Sequence, residues 1–180
     1  MNPLDIIANY YPVDSEVYRT LVIHSRSVAD KALAIARMHP EMNLDQTFIE
    51  EAAMLHDIGI FRCNAPEIGC HGEAEYICHG YLGAELMRAE GYPRHARVCE
   101  RHTGTGITQA MIEERNLPLP HRDFMPETLE EQLICFADKF YSKTKLDKEK
   151  SVEKVKQGLS KYGNDTVVRF DNWCKLFLGE

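Results

Sequence analysis

The chain has 180 residues, 44% of them hydrophobic and 27% charged, and a formal net charge of -7. That length and composition suit one globular domain with a real core, and the acidity argues against general binding to a nucleic-acid backbone. A small phosphorylated ligand stays within reach, because a bound metal ion adds local positive charge that the formal count omits.

The start, MNPLDIIANYYPVD, lacks the basic n-region and long apolar core of a signal peptide. No apolar run approaches the roughly 20 residues that span a bilayer. A cytoplasmic location is expected, without membrane insertion and with the six cysteines as reduced thiols.

Helical signals dominate in chain order. From Glu16 to about Met38, Val17, Leu21, Val28, Ala32, Ile35 and Ala36 recur at helical spacing, and Pro40 marks a stop. Thr47 and Glu50 read as a capping box that opens a helix through Phe48, Ala52, Ala53 and Leu55, with Gly59 as its terminator. Residues 60–78 carry Pro66, Gly69 and Gly72, show no clean period and read as a loop. A helix is expected from about Gly80 to Glu90, and a short one from Arg94 to Arg101. Thr108 suits the cap of a helix ending near Asn116, and Pro118, Pro120 and Pro126 make 117–127 an extended connection. Thr128 and Glu131 form a second capping box before Leu133, Ile134, Phe136, Ala137 and Phe140. Two more helices fit 149–162 and 164–178, separated by Gly163. No alternating strand, repeat or low-complexity segment is evident. The expected fold class is all-α, one domain over 1–180.

The central chemical feature is His56-Asp57, followed by Ile58-Gly59. Adjacent helical residues point about 100° apart, so both face one site only where a helix is ending. The apolar run Ala52-Ala53-Met54-Leu55 leads into the pair and places it at the core end of a buried helix. An unpaired carboxylate there is costly, and a metal removes the cost. His24 and Asp138 each read as mid-helix, His79 opens a glycine-rich helix start, and His102 closes a short helix.

In this order the residues resemble the HD superfamily, specifically its HDIG subgroup, with His56-Asp57-Ile58-Gly59 as the name motif. The stretches from His79 to Leu86 and from Glu100 to Gly104 resemble the later histidine motifs of two-metal members, and Ala137-Asp138-Lys139 resembles the last motif. The resemblance covers roughly residues 20–145. It implies a helical bundle around a metal site. The stretch from 147 to 180 lies beyond the motifs, and its own helical spacing suits helices packed on that bundle. It implies that His24, His56, Asp57 and Asp138 hold one metal, and that Asp57 bridges to a second held by His79 and His102. Imidazole and carboxylate ligands suit iron and manganese first, with zinc, nickel or cobalt as alternatives. Two such ions would activate a water near neutral pH and clamp phosphate oxygens. Asp57 would then serve in catalysis, with Arg62, Arg101 and Lys139 as candidate catalytic and phosphate-binding groups. Some members carry a lysine directly after the HDIG sequence. Here that place is Ile60, which removes one expected phosphate contact.

The function this implies is metal-dependent hydrolysis of a nucleotide or other small phosphoester. The ligand order is also similar to that of small bacterial hydrolases that split diadenosine tetraphosphate. Two alternatives share the donor set: a di-iron oxygenase, and a nucleotide-sensing module without turnover. Cys63, Cys70, His71, Cys78 and His79 have spacings too irregular for a clear structural zinc site. His39, His71, His95 and His121 are expected at the surface, with His71, Glu73 and Glu75 as candidates for the site entrance. Val167, Phe170, Trp173 and Phe177 recur at helical steps and suit either the core or a homodimer face.

Overall fold

A computed structural model describes residues 1–180. Nine α-helices account for most of the chain: α1 (Pro3–Ala8), α2 (Glu16–Met38), α3 (Gln46–Leu55), α4 (His79–Ala89), α5 (Pro93–Glu100), α6 (Gln109–Glu114), α7 (Leu129–Asp138), α8 (Val152–Leu159) and α9 (Asn164–Trp173). The all-α expectation holds. No helix is long and apolar enough to cross a membrane.

α2 is the spine. Ser15 accepts a hydrogen bond from the Tyr18 amide at its N-terminus, and Glu16 and Arg37 sit at the ends that the helix dipole favours for their charges. Its apolar stripe serves two cores. Val28, Ala32 and Ile35 enter the larger one, with α3, α7, α8 and α9. Leu21 enters a smaller one, with α1, α4, α5 and the turns after α3. His24 lies between Leu21 and Val28, so the spine carries a polar group across the seam of the two cores.

Several local expectations need correction. α3 is capped by Asp45, whose carboxylate accepts from the Phe48 amide, and not by Thr47. Gly59 does not end it: the helix stops at Leu55, and Gly59 lies in a 3-10 segment, Ile58–Arg62. A Cβ on Gly59 would stand 2.2 Å from the His79 carbonyl oxygen, so the glycine is needed for close approach to α4. The expected loop 60–78 contains a two-residue hairpin in which Asn64 pairs with His71 and Ala65 with Cys70. These strands are too short to show alternation. α1 has no counterpart in the sequence reading. The second capping box is half formed: Thr128 Oγ1 accepts from the Glu131 amide, but the Glu131 carboxylate reaches the amide of Glu127 instead of Thr128. The last predicted helix changes to a π-helical segment at Cys174–Leu178.

The aromatic stripe of α9 is consumed within the molecule. Phe170, Trp173 and Phe177 are buried around Phe136 of α7. Of the two alternatives for this stripe, the core is the one observed, and the homodimer alternative loses the face on which it rested.

Candidate metal centre

Six side chains meet at the seam of the two cores. His24 comes from the middle of α2, and His56 and Asp57 from the end of α3. His79 is the first residue of α4, His102 lies two residues past α5, and Asp138 is the last residue of α7. Asp138 was expected mid-helix. A terminal position lets the carboxylate lean away from the helix surface and into the seam.

The donors form two groups that share Asp57. In the first, His24 Nε2 lies 3.0 Å from Asp138 Oδ1 and 3.2 Å from Asp57 Oδ2. His56 Nε2 lies 3.1 and 3.0 Å from the same two oxygens. In the second, His79 and His102 Nε2 lie 3.2 and 3.1 Å from Asp57 Oδ1. One carboxylate thus offers one oxygen to each group.

Local backbone orients the rings. The Nδ1 atoms of His56, His79 and His102 lie 2.6, 2.6 and 2.7 Å from the carbonyls of Ala53, Tyr76 and Cys99, each three residues earlier. A carbonyl only accepts, so each Nδ1 carries the proton and each Nε2 is left to face the centre. His24 Nδ1 has no such partner. A Cβ on Gly80 would lie 2.5 Å from the Cys99 carbonyl oxygen, so a glycine is required where α4 meets the support of His102.

This donor set fits a divalent metal. The Nε2 atoms of His79 and His102 are 3.0 Å apart, and with both Nδ1 protons committed their lone pairs confront each other unless a cation or proton lies between. Both oxygens of Asp57 are fully buried and make no directed hydrogen bond, although charged and ring nitrogens stand within 3.2 Å. Convergence on a point, in place of pairwise alignment, is what a metal requires. Without metal, burial opposes charge on His56 but Asp57 and Asp138 outweigh it, and the ring is pushed up to about 10. Burial holds His102 down at about 4 despite Asp57. Burial would raise both carboxyls, yet His56 and Lys143 hold Asp57 well below the usual carboxylate range, and Lys139 and His56 do the same for Asp138.

A cavity of about 1030 Å³ opens from this centre, with His79, Asp138 and Lys139 in its wall. Lys139 Nζ donates to the His102 carbonyl at 2.8 Å and lies 3.0 Å from Asp138 Oδ2. Of the other basic groups considered from sequence, neither Arg62 nor Arg101 lines the cavity. Arg62 lies 3.8 Å from Glu85 and over the Phe61 ring. Arg101 donates to Glu131 at 2.9 Å, within a network that includes Arg97 and Glu127. His71, Glu73 and Glu75 are also outside the cavity wall. All six cysteines are buried free thiols that belong to neither donor group. His95 is buried against Glu51, where a surface place was expected.

Lys143 was missed. Its Nζ lies 2.8 Å from Asp57 Oδ2 and stands over the Tyr76 ring, 5.6 Å from the centroid. The available signal was the lysine-rich stretch after Asp138, which carries no metal-ligand spacing and looks like a solvated surface.

Comparison with known proteins places these observations. The HD domain family matches residues 21–142, a stretch that contains all six donors. The chain is 36% identical over 128 residues to an uncharacterized protein of Methanocaldococcus jannaschii, covering 69% of this chain and 68% of that one. It is 32% identical over 148 residues to a tRNA (cytidine(56)-2'-O)-methyltransferase of Picrophilus torridus, and 31% identical over 140 residues to a protein of the same name from Thermoplasma volcanium. These matches cover 82% and 77% of this chain but only 37% and 35% of those relatives. Among solved structures, the HD domain of the L. monocytogenes phosphodiesterase PgpH aligns with a TM-score of 0.55 at 15% identity, covering 94% of this chain and 93% of that one. The same domain in complex with cyclic-di-AMP gives 0.54, also at 15% identity, covering 96% and 94%. At that identity the likeness concerns the fold. The family match, the helical fold and the His/Asp centre agree, and the chain belongs to the HD domain family.

Proposed function

We propose that the chain is a metal-dependent phosphohydrolase of small phosphoesters, nucleotides first among them, within the HDIG subgroup. One observation carries the reading: two groups of buried donors share Asp57 at the foot of a cavity whose wall carries lysines. A nucleotide ligand gains support from the similarly folded phosphodiesterase domain that was solved with cyclic-di-AMP.

When bound, divalent ions (two in this reading, iron or manganese first) supply a Lewis acid and a water of lowered pKa. His24, His56, Asp57 and Asp138 would hold one ion, and Asp57, His79 and His102 the other. The carbonyls of Ala53, Tyr76 and Cys99 hold the Nδ1 protons and keep the Nε2 atoms of three rings aimed at the centre. Lys139, tethered by the His102 carbonyl, presents its ammonium beside Asp138 and would bind a phosphate oxygen there. Lys143 does the same beside Asp57. Both charges are held in place before substrate arrives, which favours negative charge that develops on phosphate. Arg62 and Arg101, committed to Glu85 and Glu131, have no part in this reading.

The test is hydrolysis of bis(p-nitrophenyl) phosphate and a nucleotide panel by protein loaded with Mn²⁺ or Fe²⁺. Activity abolished by Asp57→Asn and by chelation is expected. Turnover that requires dioxygen would move the reading to an oxygenase. Metal bound at both groups with no product from any phosphoester would leave a binding module.

A second reading comes from the two relatives named as tRNA methyltransferases. A domain shared with such proteins could receive an RNA end in the same cavity. The net charge of -7 keeps this second. Cleavage of a phosphorylated tRNA end in preference to every free nucleotide would promote it.

A further inference from the structure

The cavity wall is cationic on an acidic chain. Arg115, Lys139, Lys143, Lys150, Lys154 and Lys161 line it, against two carboxylates, Glu67 and Asp138. Lys139 and Lys143 are engaged at the metal centre. The other four have no carboxylate oxygen within 4.0 Å. Outside the cavity, Lys31 pairs with Glu149, and Lys156, on the opposite side of α8 from the cavity, pairs with Asp171, while Lys145, Lys148 and Lys175 have no carboxylate partner but stand apart from the cavity.

The arrangement follows from helix geometry. Lys154, Gln157, Gly158 and Lys161 fall at i, i+3, i+4 and i+7, one face of α8 and the turn after it, and all four line the cavity. At 1.5 Å per residue that cationic face runs for roughly 10 Å. Lys150 stands just before the Ser151 cap, and Arg115 comes across from the end of α6, where it donates to the Tyr162 carbonyl at 2.7 Å. Gathering like charges without acids is unfavourable unless an anion uses them. Lys150 shows the strain: burial lowers its pKa, Asp138 works against that, and Lys139, Lys154 and Lys143 lower it further. Lys143, Lys150, Lys154 and Lys161 lie beyond residues 21–142, so the positive charge of the wall comes mainly from the segment that this chain adds to the family's matched stretch.

We propose that Arg115, Lys150, Lys154 and Lys161 form a second phosphate subsite, distinct from the metal centre, so that the ligand is a small molecule with at least two phosphate groups. The proposal rests on the phosphohydrolase reading only in assigning the cleaved phosphate to the metal centre. The volume of about 1030 Å³ suits a small molecule of this kind.

Binding of inorganic tripolyphosphate to the chelated protein, measured by calorimetry, tests the subsite without turnover. The double variant Lys154→Ala with Lys161→Ala is expected to lose at least about tenfold in affinity. The double variant Lys145→Ala with Lys148→Ala removes the same charge from outside the cavity and is expected to stay within about twofold. With metal loaded, the first pair should raise KM for ATP by a similar factor. Equal losses in the two double variants would reduce the effect to net charge and overturn the subsite. So would unaltered tripolyphosphate binding in the first pair, even if the wild type hydrolyses bis(p-nitrophenyl) phosphate. Lysine-dependent tripolyphosphate binding by a protein that cleaves no phosphoester would uphold the subsite and sink the hydrolase. A single-stranded RNA 12-mer that binds through the same lysines, with no tripolyphosphate binding, would overturn the small-molecule class in favour of nucleic acid.

Discussion

Lys143 Nζ lies 2.8 Å from Asp57 Oδ2, the carboxylate that both donor groups share. Asp57 is fully buried, so without metal this ammonium is its main compensating charge besides His56. Replacing Lys143 with Met leaves a buried carboxylate short of a partner, at a cost near the low end of about 3–5 kcal/mol. For a chain of this size that lowers the melting temperature by roughly 6–12 °C. Saturating Mn²⁺ should restore most of the loss, since a divalent ion supplies the charge that Lys143 provided. Thermal melts with EDTA and with Mn²⁺ check this. An equal loss under both conditions would show that Lys143 acts through packing alone.

The two donor groups can be separated by metal counting. His79 belongs only to the second group and His24 only to the first. His79→Ala is expected to reduce the metal content by about one ion per chain and leave the four-donor group occupied. His24→Ala should weaken the first group instead. Elemental analysis of protein purified without chelators measures both. An unchanged count in His79→Ala would reassign His79 and His102 to substrate contact.

Gly59 holds α4 against the turn after α3. The Cβ of an alanine there would meet the His79 carbonyl oxygen at 2.2 Å and the Gly83 amide nitrogen at 2.5 Å. Backbone cannot swing aside as a side chain can, so α4 must shift. A cost of about 1–3 kcal/mol is expected, together with weaker metal retention because His79 begins α4. Chemical denaturation and metal titration of Gly59→Ala test the two effects. A stable variant that loses no metal would show that the contact relaxes without moving His79.

The C-terminus gives a pH dependence. His39 Nδ1 lies 2.7 Å from Glu41 Oε1, and Nε2 lies 2.8 Å from the Phe177 carbonyl oxygen. Only the imidazolium donates to both, and the Glu41 and Phe177 hydrogen bonds raise the His39 pKa. A raised folded-state pKa contributes stability that is complete below the unfolded value, about 6.5, and is lost as pH rises through the folded value. The difference in melting temperature between the wild type and His39→Gln should therefore shrink as pH rises above about 6.5. An NMR midpoint for His39 at or below about 6.5 would refute this.

Much of the fold was legible because helices announce themselves locally. The stripe of α2 and the Thr108 and Thr128 caps depend on neighbours within one or two turns. The start of α3 was misjudged because Asp45 and Thr47 are both good caps, and the contest is settled by distant groups: Arg94 and Glu130 hydrogen-bond to Asp45. α1 is only six residues long, too short for its period to show.

The candidate donor order His24, His56-Asp57, His79, His102, Asp138 was legible in the sequence through its resemblance to the HD motifs. Ligand chemistry alone does not set these residues apart from His39, His71, His95 and His121, and the fold is what brings the six together. The assignment of the basic side chains was decided only by tertiary structure. Arg62 and Arg101 stand beside motifs in the chain but turn to Glu85 and Glu131, whereas Lys143 and the lysine face of α8 come from segments without any motif. A long flexible cation takes whichever carboxylate or cavity the packing brings within a few ångströms, and that choice depends on long-range contacts that no local spacing encodes.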